Sequence, residues 1–342
     1  MLPLSALTRY LGKRILFVPF GVLAVFSLTF LLVNAIPSDP VSEIAGPTAT
    51  PEQVAAIRTE IGLDAGLWER FGTALTDLVA RGSLGESYYT KTPVLEDVQA
   101  YLPATIELVA LSMVVAVSLG VAIGAVGAYT AGRVPDRASR TATTLLQVVP
   151  DFLLGLVLIY VLFYSLGWAP APTGQLGLLD TAPPPVTGAV LVDAVIAGQW
   201  DTAGAALQHA ALPVLTLGIS SAALFAKMSR SALLKALRSP QVEFARALGL
   251  PSRTVFGYAF GAARTQIVTY SGVLFAGLVG GDVIVEQLFA WNGIGQFVAG
   301  RITQLDLPAV QGTILVLALI TLAVLIVVDI VVALLDPRVS YA

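Results

Sequence analysis

The chain has 342 residues, of which 56% are hydrophobic types and only 12% are charged. Soluble domains carry about 25% charged residues. The mean hydropathy here is +0.83, so composition argues against a disordered chain, a nucleic-acid binder and an ordinary cytosolic enzyme. The formal net charge of −3 says little, because the placement of charge matters more than its sum. There is no cysteine and a single histidine, which removes disulfides, cysteine-zinc sites, iron–sulfur clusters, thiol nucleophiles and multi-histidine metal sites within the chain.

A helix needs roughly 20 apolar residues to cross a bilayer. Six stretches meet that length. The first, 15–36, follows Arg9, Lys13 and Arg14 and has no small-residue cleavage site, so it reads as a retained helix rather than a signal peptide. A long acidic loop, 37–101, comes next. Within it Thr50-Pro51-Glu52-Gln53 is a helix start, with Thr50 as N-cap, Pro51 in the first turn and Gln53 reaching back. The second and third spans are 102–130 and 143–168, the latter with a kink expected at Pro150. Residues 186–198 are apolar but too short to span and contain Asp193, so they read as loop. The fourth span starts near Leu212, runs to Phe225 and continues as helix toward Leu234. The fifth, 266–285, carries Gly277 and Gly280-Gly281, expected to permit close helix packing. The sixth is 309–335. The expected fold is an all-α polytopic membrane protein with six transmembrane helices. It divides into a cytoplasmic N-terminus with the first span (1–36), an extracytoplasmic partly helical domain (37–101) and a five-helix core (102–342).

Orientation follows from Lys and Arg near the membrane. With the N-terminus inside, segments 1–14, 131–141, 227–264 and 336–342 hold 14 basic residues. The short outside loops 169–211 and 286–308 then hold one, and the long loop 37–101, which counts for little in this rule, holds four. Both termini are therefore expected in the cytoplasm.

The inside loop 227–264 carries 7 of the 19 basic residues and a short helix with its own punctuation. Ser239 is the candidate N-cap and Pro240 takes the first position. Glu243 lies in the first turn, where the helix dipole favours negative charge. Gly249 can turn left-handed at the end, and Pro251 stops continuation. Phe244, Ala247 and Leu248 share one side, while Glu243 and Arg246 can pair on another. A helix of about nine residues is marginal alone, so it needs a surface: the bundle and lipid headgroups on one reading, a docked partner on the other.

Among residues in or near spans, Asp151 beside Pro150 is the candidate for a polar group lining a translocation path, against the plainer reading of an acid hydrogen-bonded to a neighbouring helix. Asp282 is a second acid of this kind, and Glu107, Asp282 and Asp329 each suit a structural hydrogen bond. His209 reads as a satisfied structural group. Phe289, Trp291 and Tyr270 suit interface or core positions. No nucleotide-binding G-x-x-x-x-G-K-[ST] loop occurs, and no H-E-x-x-H or G-x-S-x-G, so no catalytic constellation is visible.

Glu243-Phe244-Ala245-Arg246-Ala247-Leu248-Gly249 resembles the E-A-A-x-x-x-G motif of binding-protein-dependent ABC importer permeases, and 240–250 is similar to the corresponding block of the dipeptide/oligopeptide/nickel permease family. The likeness continues in Ile36-Pro37-Ser38-Asp39-Pro40, in 50–64, in Gly82-Ser83-Leu84-Gly85-Glu86-Ser87, and in Leu102-Pro103-Ala104-Thr105-Ile106-Glu107-Leu108. It also covers Pro150, Phe152 and Gly155; His209, Leu212 and Pro213; Glu286, Phe289, Trp291, Gly293 and Gly295; and Leu335-Asp336-Pro337-Arg338. The resemblance implies the type I importer permease fold, with 239–250 as the coupling helix that sits in a groove of a cytoplasmic ATPase subunit. It implies as partners a second permease, two ATPase subunits that hold the ATP and magnesium, and an extracytoplasmic solute-binding protein, around a chain with no cofactor of its own in the plasma membrane. Transport of peptides or a similar small solute would then be driven by ATP hydrolysis in the partners. The competing class is a secondary transporter driven by an ion gradient; few charged residues in the spans and no inverted repeat speak against it.

Overall fold

The computed structural model describes residues 4–35, 40–280 and 282–335. Residues 1–3, 36–39, Gly281 and 336–342 lie outside them, and with these parts of the first and last motifs and the C-terminal segment. All regular structure among the described residues is helical, apart from one isolated antiparallel bridge between Glu86 and Pro93. In chain order the helices are α1 (Leu4–Ala35), α2 (Pro40–Ala45), α3 (Pro51–Glu60), α4 (Leu67–Thr76), α5 (Val94–Tyr129), α6 (Val134–Val148) and α7 (Asp151–Leu158). Then follow α8 (Val190–Ile196), α9 (Trp200–Leu237), α10 (Pro240–Ala247), α11 (Ser252–Val279), α12 (Val283–Leu288), α13 (Ile294–Thr303) and α14 (Leu307–Leu335). Wider π-type turns extend α4 through Asp77–Arg81 and α7 through Ile159–Ser165.

The centre of the bundle is α5 packed along α9. Small residues let the two backbones approach. A Cβ added to Gly120 would lie 2.8 Å from Phe225 Cβ, one on Gly124 would lie 2.8 Å from the Ala226 carbonyl, and one on Gly218 would lie 2.7 Å from Val115 Cβ. Since Val115 meets Gly218 and Gly124 meets Ser229, residue numbers rise together and the helices run parallel. Around this pair, α11 packs on α9 and α14, and α1 packs on α14.

Among the described residues, four helices are each long and apolar enough to cross a bilayer: Leu16–Ala35 within α1, then α5, α9 and α14. A fifth candidate is α6 with α7 and its extension, bent by 101°. The third predicted span is thus broken rather than kinked. Val149 is extended (ψ 121°) and Pro150 takes the N-cap of α7, because a proline ring excludes the helical conformation from the residue before it and supplies no N–H. The predicted fifth span also differs. It begins inside α11, which has 28 residues, and the helix ends at Val279, short of the expected 285. Gly277 meets nothing within 4 Å of an added Cβ, and the close approach falls instead at Gly272 against Val328. The stretch read as loop at 186–198 contains the seven-residue α8.

The predicted helix start at Thr50 forms as a full capping box. Gln53 N–H donates to Thr50 Oγ1 at 3.3 Å and Thr50 N–H donates to Gln53 Oε1 at 2.9 Å. Phe71 of α4 packs on Phe26 and Phe30 of α1, with ring centroids 5.7 and 5.2 Å apart. On the other side Asp306, fully buried ahead of α14, accepts from Ser87 Oγ at 2.5 Å and from Tyr88 N–H at 3.1 Å. These contacts fix segment 40–93 to the bundle.

Candidate functional site

Helix α10 sits at one end of the bundle, between α9 and α11. Pro240 at its first turn and Gly249 after its end (φ +71°) give it the predicted boundaries. Ser239 is the N-cap residue, but its side chain makes no capping hydrogen bond and its Oγ is buried without a partner among the described residues. Glu243 and Arg246 form no ion pair among the described residues. Two faces divide the short helix. Val242 and Ala245 are fully buried in the cluster that also holds Leu233, Leu237, Val255 and Ala259. Phe244 and Leu248 are 65% and 60% exposed on the adjacent side. The helix is therefore anchored by one apolar face and presents a second to its surroundings.

An ion pair lies close to this end of the α5–α9 seam. Asp136 of α6 is fully buried and accepts from Arg230 of α9 in bidentate fashion, Nε to Oδ1 at 2.7 Å and Nη2 to Oδ2 at 2.9 Å. The Arg230 hydrogen bond, and then the Gly132 N–H at 2.8 Å, hold the Asp136 carboxyl below its ordinary value. Ninety-four positions separate the two residues, and no sequence signal marks the pair.

The two acids of the candidate path come together. Ser220 Oγ of α9 donates to Asp151 Oδ1 at the start of α7. Asp282 caps α12, accepting from Val285 N–H at 3.1 Å, and its carboxyl is within interaction range of Asp151. Both residues are partly exposed. Gly155 fixes the approach of α7, since a Cβ there would lie 2.7 Å from Leu288 of α12 and 3.4 Å from Thr216 of α9.

Several of the other singled-out residues make contacts that hold the bundle together. Glu286 is 1% exposed. Its carboxylate accepts from Thr105 Oγ1 at 2.6 Å and from Gln296 N–H at 2.8 Å, and the Thr105 hydroxyl oxygen accepts from Ile294 N–H at 2.8 Å. Trp291 Nε1 donates to the Ala104 carbonyl at 2.8 Å. Gly293 and Gly295 must lack side chains, because a Cβ at either would fall 2.5 or 2.9 Å from a Glu286 oxygen. The spacing of Glu286, Phe289, Trp291, Gly293 and Gly295 is thus one knot tying the α12–α13 turn to α5. Glu107 accepts from Leu191 N–H at 3.0 Å, the structural hydrogen bond expected of it. His209 Nδ1 is buried without a partner among the described residues, so the expected satisfaction is incomplete. Among the described residues no group of three or more metal-ligating side chains occurs.

Comparison with known proteins gives the class. The family model described as the inner membrane component of binding-protein-dependent transport systems matches residues 101–341, and the model for the N-terminal part of such components matches residues 7–109. The chain is 36% identical over 342 residues to the di/tripeptide transport system permease protein DppB of Pseudomonas aeruginosa, covering 99% of both chains. It is 32% identical over 336 residues to the dipeptide transport system permease protein DppB of Alkalihalophilus pseudofirmus, covering 97% of this chain and 99% of that one. It is 36% identical over 316 residues to the probable D,D-dipeptide transport system permease protein DdpB of Escherichia coli, covering 92% of each. The chain belongs to the binding-protein-dependent transport inner membrane components. It is a multi-pass inner-membrane permease of the ABC importer class, and ATPase activity in such systems resides in separate subunits.

Proposed function

We propose that this permease carries peptides or a similar small solute inward, and that α10 is the element through which ATP hydrolysis reaches it. The substrate class is supported by the names of its relatives, which are di- and tripeptide permeases. The coupling role rests on one observation: a helix anchored through Val242 and Ala245 that leaves Phe244 and Leu248 exposed beside them. Exposed large apolar side chains on a short, rigidly seated helix are what a partner groove takes up. Burying each contributes about 1.5–3 kcal/mol. The partner is an ATPase subunit holding ATP and magnesium. A second copy docks on the companion permease, and a solute-binding protein docks at the opposite end, against segment 40–93 and the α12–α13 turn.

The six-span topology, with both termini inside, completes this reading. It takes the bent α6–α7 unit and α11 as spans beside the four long apolar helices, and it agrees with the basic residues gathered around α10. Asp151 and Asp282, with Pro150 setting the start of α7, line the path, where paired carboxyl groups attract a cationic group such as a peptide ammonium. ATP binding draws the coupling helices together and opens the path outward, and hydrolysis resets it, a rocking of packed helices between two arrangements.

The test is transport and ATP hydrolysis measured together in liposomes holding the assembled importer. Gly249→Pro and Glu243→Arg should lose most transport while the bundle stays folded and the ATPase stays active. Normal transport in both variants would remove the coupling assignment. Transport by the chain without ATPase subunits, driven by an ion gradient, would favour the secondary-transporter reading instead.

A further inference from the structure

A cavity of about 520 Å³ lies between the bundle and the helices of segment 40–93. Phe26 and Phe30 of α1 and Leu315 of α14 give it an apolar part, and Arg70 of α4, Gln311 of α14 and the acids Glu60, Glu69, Asp77 and Glu86 give it a polar one. Two donors on this lining are buried and unused: Arg70 Nε and Gln311 Nε2 have no hydrogen-bond partner among the described residues. The other cation on the lining, Lys91, is already paired with Glu60 at 2.9 Å. A donor left unmade costs about 1–3 kcal/mol, more when charged, so a ligand that supplies acceptor oxygens to these two side chains is favoured. Of the acids, Glu60 pairs with Lys91 and Asp77 with Arg81, while Glu69, which is exposed, and Glu86 form no ion pair among the described residues.

Position narrows the ligand. The cavity sits where α1 ends and α14 begins, and both carry apolar spans. Resting on the membrane reading above, this is the depth of the lipid headgroups at the end opposite α10. Pockets of roughly 300–1,000 Å³ hold small ligands, so a headgroup with its glycerol fits and two whole acyl chains do not.

We infer that this cavity binds the headgroup of a zwitterionic phospholipid. The phosphate accepts from Arg70 and Gln311, the ammonium lies toward Glu69, and the first part of the acyl chains rests on Phe26 and Phe30. The bound lipid then stands between the peripheral α1, the helices α3 and α4, and the core.

The experiment is native mass spectrometry of the delipidated, assembled importer, titrated with phosphatidylethanolamine, phosphatidylglycerol or free phosphoethanolamine. Arg70→Gln, Gln311→Leu and Glu69→Gln are compared with the parent after circular dichroism confirms folding. We expect one tightly retained phosphatidylethanolamine, about tenfold weaker retention in Arg70→Gln, and smaller losses in the other two. Equal retention in all variants would overturn the site. Free phosphoethanolamine binding as tightly as the lipid would make it a solute site, and equal phosphatidylglycerol binding would remove the role of Glu69. Because complex formation and ATP hydrolysis are read separately, failure here is distinguishable from failure of the importer reading.

Discussion

Asp136 and Arg230 show how a single pair joins two helices at the α10 end of the bundle. Asp136 is held below its ordinary value of 3.8, so its contribution to stability is present at neutral pH and is lost progressively as pH falls from about one unit above that value through the lower folded one. Thermal unfolding of the parent should therefore be insensitive to this pair near neutral pH and lose its contribution progressively in acid. Asp136→Asn should lower the unfolding midpoint at pH 7, and the gap to the parent should close in stronger acid; a gap that persists there would mean the pair acts through shape rather than charge. At Gly124, where an added Cβ meets the Ala226 carbonyl and Arg230 N–H at 2.8 Å, Gly124→Leu should cost about 1–3 kcal/mol through overpacking, read from the same unfolding curves. A stability equal to the parent would show that α5 and α9 can separate freely. Residue-level roles were unevenly legible. Thr50 and Gln53 announce their capping box through local spacing, because both partners lie within one turn. Glu286 is visible as part of a spaced motif, but its partner Thr105 is 181 positions away, so its role as a buried acceptor required the fold.

The elements tell the same story at a larger spacing. Hydropathy finds α1, α5, α9 and α14 because each carries an uninterrupted apolar run. It finds the third span but understates its break, because composition averages over Pro150 whereas the backbone obeys it: α6 is polar and amphipathic, and α7 begins afresh after the proline. Helix α10 was legible from Pro240 and Gly249, whose backbone demands are local. Its two-faced burial was only half legible, since the exposed side of Phe244 and Leu248 follows from helical period, but the anchoring of Val242 and Ala245 depends on α9 and α11. At this scale, Phe244→Ser should weaken docking of the partner by about 2 kcal/mol, roughly thirtyfold, without changing the fold of the permease. Size-exclusion of the variant with its ATPase partners checks this, and intact association at low concentration would contradict it.

For the whole molecule, charge and anchoring agree. The basic residues gather at the end that carries α10, and the capped helices of segment 40–93 are fastened at the other end through Asp306 and the Phe26–Phe30–Phe71 cluster. Between them Asp151 and Asp282 meet where α7 and α12 approach. Asp151→Asn should slow transport of substrates with a free ammonium more than that of N-blocked analogues, measured as uptake into liposomes, while leaving ATP hydrolysis in place. An equal effect on both would move the path elsewhere.

The central claim is that α10 delivers the force of an ATPase to this permease. The chain contains no cysteine, so a single Phe244→Cys substitution places one thiol on the exposed face of α10 with no background. Cross-linking this variant in native membranes and sequencing the adduct tests the claim directly. An adduct with a subunit bearing a G-x-x-x-x-G-K-[ST] loop is the predicted result. A thiol that reacts freely with a bulky water-soluble maleimide in the assembled complex, and cross-links to no nucleotide-binding subunit, would contradict it.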